Sequence, residues 1–150
     1  MQKHTYGIMA ALGLLLIVAV VPAHAQSTII EGRANIPFTF AVNDQAFPAG
    51  TYTVERICQS SSNCLRLRGA ANSASVIFFT LPAKPTNGSK QPRLVFNRYG
   101  DEYFLTQVWS GIDGASYRLH KCRRERALVR AIASRAPAQP QRAEVALRQR

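Results

Sequence analysis

The chain has 150 residues, 47% hydrophobic and 18% charged, with 19 Lys or Arg against 8 Asp or Glu and a formal net charge of +11. That length suits one domain. Three cysteines and three histidines argue against a ligand-rich metal centre, and the positive excess directs any electrostatic partner towards anions.

The first element is a leader. Lys3 precedes an unbroken apolar run from Ile8 to Val21, and "AHA" at residues 23 to 25 has the small-x-small form of a signal-peptidase site. A helix over that run spans roughly 21 Å, short of the roughly 30 Å hydrocarbon core. The sequence therefore predicts cleavage near Ala25, export to the periplasm or beyond, and a mature protein of residues 26–150.

Strands follow. In "NIPFTFAV", Ile36, Phe38, Phe40 and Val42 alternate with Asn35, Pro37, Thr39 and Ala41. Pro37 lacks a donor, which assigns the strand to a sheet edge. "FPAG" reads as a type I turn. "TYTVERIC" and "CLRLRG" read as a hairpin with a bulge near Glu55. With Ile57, Leu65 and Leu67 facing the core, Cys58, Cys64, Arg66 and Arg68 point to solvent. Export permits disulfides, so Cys58 and Cys64 are expected to staple this hairpin, a loop closure contributing about 2 kcal/mol. "ASVIFFTL" is apolar on both faces, as in a central strand or one beneath another layer. "PAKPTNGSKQP" is loop. "RLVFNRY" and "EYFLTQVW" form a second hairpin across Gly100 and Asp101.

The pattern then changes. "CRRERALVRAIASR" has helical composition, with Leu128 and Ile132 one turn apart. Cys122 stands where Ser or Thr would open a capping box closed by Glu125. It is the odd cysteine, read as an unpaired thiol with a Cys122-linked dimer as a minority form of a monomeric protein. "APAQPQRAEVALRQR" reads as a disordered end. The expected organisation is a signal peptide (1–25), a β-rich domain (26–117), a basic helix packed on it (118–136) and a disordered tail (137–150). The expected fold is mainly β: a small antiparallel barrel or sandwich with a C-terminal helix. From Arg118 onward ten basic residues face only Glu125 and Glu144, a net of +8, whereas residues 26–117 carry +2.

Three blocks, "IPFTFAVNDQAFPAGTYTV", "LVFNRYGDEYFLTQVW" and "KCRRERAL", resemble signatures of a family of small exported bacterial proteins without assigned activity. The resemblance covers about Ala34 to Leu128. It implies a leader, a β-rich domain and a C-terminal helix, and supplies no catalytic residue or substrate. Cys122 departs from it, since such proteins tend to carry Ser there.

Candidate chemistry is reached mostly by elimination. His120 is the only mature histidine; with Cys122 it could form a nucleophilic pair, but no orienting carboxylate is evident. Asp101 and Glu102 are explained by turn polarity. No catalytic or metal-ligating set and no cofactor motif emerges. The candidate binding surfaces are the aromatic-basic group Arg98, Tyr99, Asp101, Tyr103 and Trp109 and the helix arginines Arg123, Arg124, Arg126 and Arg130. The leading expectation is a non-catalytic envelope or secreted module acting by binding or assembly, its partner an anionic envelope component. The alternatives are a polyanion-binding protein using its basic C-terminal region and a small enzyme of unrecognised type.

Overall fold

The computed structural model describes residues 29–57, 63–71, 73–84, 91–110, 115–134 and 139–148. Among them the elements are β1 (Ile29–Ile36), β2 (Phe40–Val42), β3 (Gln45–Phe47), β4 (Gly50–Arg56), β5 (Cys64–Gly69), β6 (Ser75–Ala83), β7 (Arg93–Tyr99), β8 (Glu102–Trp109), β9 (Ser116–Leu119), α1 (Arg123–Ala133) and β10 (Gln141–Ala146). The molecule is mainly β. No described helix is long and apolar enough to cross a membrane.

Pairing runs β1-β4-β5-β6-β9-β8, all antiparallel, and β8 then pairs with β7. A short β2–β3 hairpin joins β8 through one parallel pair, Ala41 with Phe104. β6 links the two halves: Ser75 to Phe79 pair with β5, and Thr80 to Ala83 with β9. β10 pairs with β7 in register from Gln141–Arg98 to Ala146–Arg93. The ends β1 and β10 meet at a single antiparallel bridge, where Arg33 N–H donates to Arg148 O at 2.9 Å and Arg148 N–H returns to Arg33 O at 2.8 Å. That is one bridge and not a ladder, so the strands do not form a closed barrel.

Alternation explains the core. Ile36, Phe40, Val42, Tyr52, Val54, Leu65, Leu67, Phe78, Leu94, Phe96, Leu105 and Val108 are buried in one cluster, which removes apolar area from water. Its centre is aromatic. The Phe40 ring meets Tyr52 edge-on at 5.2 Å and Phe96 at 5.4 Å, arrangements that suit the ring quadrupoles. The two predicted hairpins are present. Gly100 sits between β7 and β8 with φ 61°, and Asn43, at φ 54°, turns β2 into β3, a conformation Asn tolerates better than most residues.

Several expectations are corrected. "NIPFTFAV" is two strands: Ile36 ends β1 opposite Gly50, and Phe40 begins β2 opposite Phe47. The break falls where Pro37 cannot donate to a ladder, although Phe38 still packs against the core. The bulge lies in β1 between Ile30 and Gly32, facing Val54 and Glu55, and the β4–β5 register is regular. Cys64 is buried at 4% exposure despite sharing the outward side with Arg68. Its expected partner Cys58 lies outside the described residues.

The largest correction concerns the C-terminal end. Within the segment read as disordered, Gln141–Ala146 form β10 and Leu147 is buried in the main core at 4% exposure. The sequence hid this because Gln141, Arg142, Glu144 and Ala146 are exposed while Ala143 and Val145 are only half-buried. Such an edge strand carries a weak period-2 signal, and its stability comes from pairing with β7. Gly32, at φ 154°, permits the approach: a Cβ there would stand 3.2 Å from both Arg148 O and the Leu147 Cβ.

Two changes test this fastening. Gly32→Val should destabilise by about 1–3 kcal/mol through backbone strain and overpacking. Truncation after Pro137, which removes β10 and Leu147, should cost at least the ~2–5 kcal/mol of a buried Leu deletion. Urea unfolding measures both; unchanged midpoints in the two variants would show that the C-terminal strand is not part of the cooperative fold.

Candidate functional site

The helix arginines stand outside because the opposite side of α1 is firmly docked. Leu128, Val129 and Ile132 pack on a second apolar cluster of Ala41, Tyr99 and Phe104, on the side of β2, β7 and β8 away from the main core. Glu125 projects down among them and is only 2% exposed. Its Oε1 accepts from Asn97 Nδ2 at 3.0 Å and from Tyr99 Oη at 3.2 Å. Buried charge requires such partners. The carboxylate thus pins the helix to β7.

Cys122 is the N-cap, its Sγ accepting from Glu125 N–H at 3.4 Å. Only this half of the expected capping box forms, since the Glu125 side chain is used beneath the helix. Two further contacts fasten the helix start. Arg124 N–H donates to Asp44 Oδ1 at 3.0 Å in the β2–β3 turn, and the Arg124 guanidinium meets Glu102 at 2.8 Å. With these in place Arg123, Arg124, Arg126 and Arg130 are all exposed. Of the two predicted surfaces, this one is assembled.

The other is dispersed, because neighbouring residues on a strand point to opposite faces. Arg98 and Tyr103 face each other at the Gly100 turn, the guanidinium 5.4 Å from the ring centroid, with Asp101 3.9 Å from Arg98. Tyr103 stacks on Phe38 at 3.9 Å. Tyr99, one position along, is buried beneath α1. Trp109 lies at the far end of β8, roughly 20 Å from Tyr103 at strand rise. It is 3% exposed, with the Arg93 guanidinium 4.0 Å above its ring. Arg98, Asp101 and Tyr103 therefore stay together, while Tyr99 and Trp109 serve packing elsewhere.

The electrostatics of Cys122 reverse what its neighbouring arginines suggest. Burial raises its thiol pKa most; the Glu125 backbone N–H opposes this, and the Asp44 and Glu125 carboxylates add to the rise. A thiol held protonated is a poor nucleophile. His120 is exposed on the connector between β9 and α1. Asp44 is shifted the other way, its carboxyl lowered chiefly by the Arg124 backbone N–H. Among the described residues no group of three His, Cys, Asp or Glu could hold a metal ion.

Sequence reasoning missed Asn97, Asp44 and the internal role of Glu125. Their signal lies in the quoted blocks: Asn97 and Tyr99 fall in "LVFNRYGDEYFLTQVW", Asp44 in "IPFTFAVNDQ" and Glu125 in "KCRRERAL". The three blocks meet at the base of the helix.

Burial, then the Glu125 carboxylate, push the Tyr99 phenol from 10.0 up to about 12. The folded state therefore keeps this proton at a pH where the unfolded chain has lost it. The resulting stabilisation is complete below the unfolded value of 10.0 and disappears as pH rises through about 12. The urea stability of the parent should fall more steeply than that of Tyr99→Phe across this window; parallel profiles would disprove the coupling. Cys122 should alkylate more slowly in native than in unfolded protein at neutral pH. Cys122→Ser should keep the cap, whereas Cys122→Ala should lose about 1 kcal/mol.

Comparison of the chain with family models, curated proteins and solved structures returns no match.

Proposed function

We propose that this protein is an exported, non-catalytic β-module that acts by binding, its partner an anionic component of the cell envelope. The observation carrying this reading is the docked basic helix. Glu125, Leu128, Val129 and Ile132 hold one side of α1 on the sheet, and Arg123, Arg124, Arg126 and Arg130 are exposed on the remainder. A rigid row of guanidinium groups recognises phosphate, sulfate and carboxylate groups through paired donors. Arg124 is partly engaged by Glu102, which leaves Arg123, Arg126 and Arg130 as the principal contacts. The raised Cys122 thiol pKa supports a binding role over a cysteine nucleophile. Export by the N-terminal leader belongs to the same reading, as does a Cys58–Cys64 staple formed in an oxidising compartment.

Binding to a sulfated polysaccharide at low salt is the direct test. Affinity should fall with rising salt, and the triple change of Arg123, Arg126 and Arg130 to Gln should weaken it by about tenfold or more and flatten the salt slope. Equal binding by the parent and the triple variant would remove the helix from the function.

A further inference from the structure

β6 carries a feature that its position does not require. Its inward residue Phe78 is 1% exposed and Thr80 3%, whereas Ile77, Phe79 and Leu81 on the other face are 51%, 72% and 48% exposed. "ASVIFFTL" is thus apolar on both faces without lying beneath another layer. Alternate residues of a strand stand about 6.6 Å apart, so the three side chains form a ridge along the strand. This strand passes from pairing with β5 to pairing with β9, and the face carrying the three side chains is the one turned away from the buried Phe78 and Thr80. Polar residues would occupy these pleat positions without loss of core, and large apolar side chains in a row mark a contact surface.

Charge identifies the occupant. Cross-strand register partners share a face. Leu81 is opposite Arg118, and Ile77 is opposite Arg66, whose guanidinium bonds to Glu55. Arg68 follows on the same side of β5. Arg68 and Arg118 are both exposed, so the ridge has a cation on each flank. Its area is on the order of 300 Å², well below the ~800 Å² each partner contributes to a stable protein complex. An exposed ridge of this size lacks the area of a stable dimer interface, and three side chains standing out from one strand do not enclose a small ligand. It matches a bilayer surface, where a few apolar side chains enter the headgroup region and arginines meet anionic lipids.

We propose that Ile77, Phe79 and Leu81 form a membrane-contact ridge that inserts shallowly into an anionic lipid bilayer, with Arg68 and Arg118 binding lipid phosphates on either side. This deepens the envelope-binding reading and rests on it, adding a second contact point away from the helix arginines.

The test uses mature protein recovered from the periplasm of an expression host, with its N-terminus verified by mass spectrometry. Co-sedimentation with vesicles of equal phosphatidylglycerol and phosphatidylcholine should exceed that with phosphatidylcholine alone. Phe79→Ser should weaken partition to the anionic vesicles by about tenfold and leave sulfated-polysaccharide binding unchanged. In Phe79→Trp the new indole should shift to the blue on vesicle addition and be quenched by brominated lipid, over a parent baseline set by buried Trp109. Unaltered vesicle binding by Phe79→Ser, or an unquenched indole in Phe79→Trp, overturns the ridge while leaving the helix reading intact. Failure of the parent to bind either polyanion overturns both. A concentration-dependent dimer abolished by Phe79→Ser assigns the ridge to a second copy of the chain and also overturns the lipid contact.

Discussion

A single buried carboxylate organises one side of this protein. Glu125 is 2% exposed within a basic segment, and its Oε1 accepts from both Asn97 and Tyr99 of β7. An unpaired carboxylate at that depth is strongly unfavourable, so the helix is positioned only where both donors reach it. The placement of Leu128 and Ile132 on Phe104, the capping of α1 by Cys122 and the outward display of its arginines all follow from that constraint. Asp44 and Glu102 then hold Arg124 from two other elements, so the start of the helix is tied to the β2–β3 turn and to β8 as well as to β7.

The C-terminal strand depends on a close backbone approach. Leu147 enters the core beside Gly32, and the Arg33–Arg148 bridge joins the first and last elements of the described chain. β10 thereby covers the outer edge of β7, an edge that would otherwise present unpaired backbone groups. Among the described residues of this end, Arg142 lies on β10 and Arg148 at the bridge, and Glu144 meets Arg93 at 3.4 Å.

Strand parity then separates groups that adjoin in sequence. Tyr99 and Arg98 are neighbours in the chain, yet one lies beneath the helix and the other borders the Gly100 turn. The same parity makes β6 a core strand on one face and an apolar ridge on the other. Cationic helix and apolar ridge thus have a common origin: in each, one side is committed to packing and the other is exposed.

The sequence by itself determined the mainly β class, both hairpins, the helix near Arg123 and the cores of β5 and β8, because these rest on local periodicity and turn chemistry. It determined the exposed helix arginines for the same reason, since Leu128 and Ile132 set the docked side. The remainder was decided by tertiary structure. No local signal distinguishes a buried Glu125 from one closing a capping box; the difference is the presence of Asn97 and Tyr99 on a strand more than twenty residues earlier. No local period marks β10, whose pairing energy resides in β7. The apolar outer face of β6 was visible as composition, but whether a second layer covers it depends on where the remaining elements pack. Local pattern specifies which elements form, and the long-range satisfaction of buried polar groups and sheet edges specifies where their side chains end.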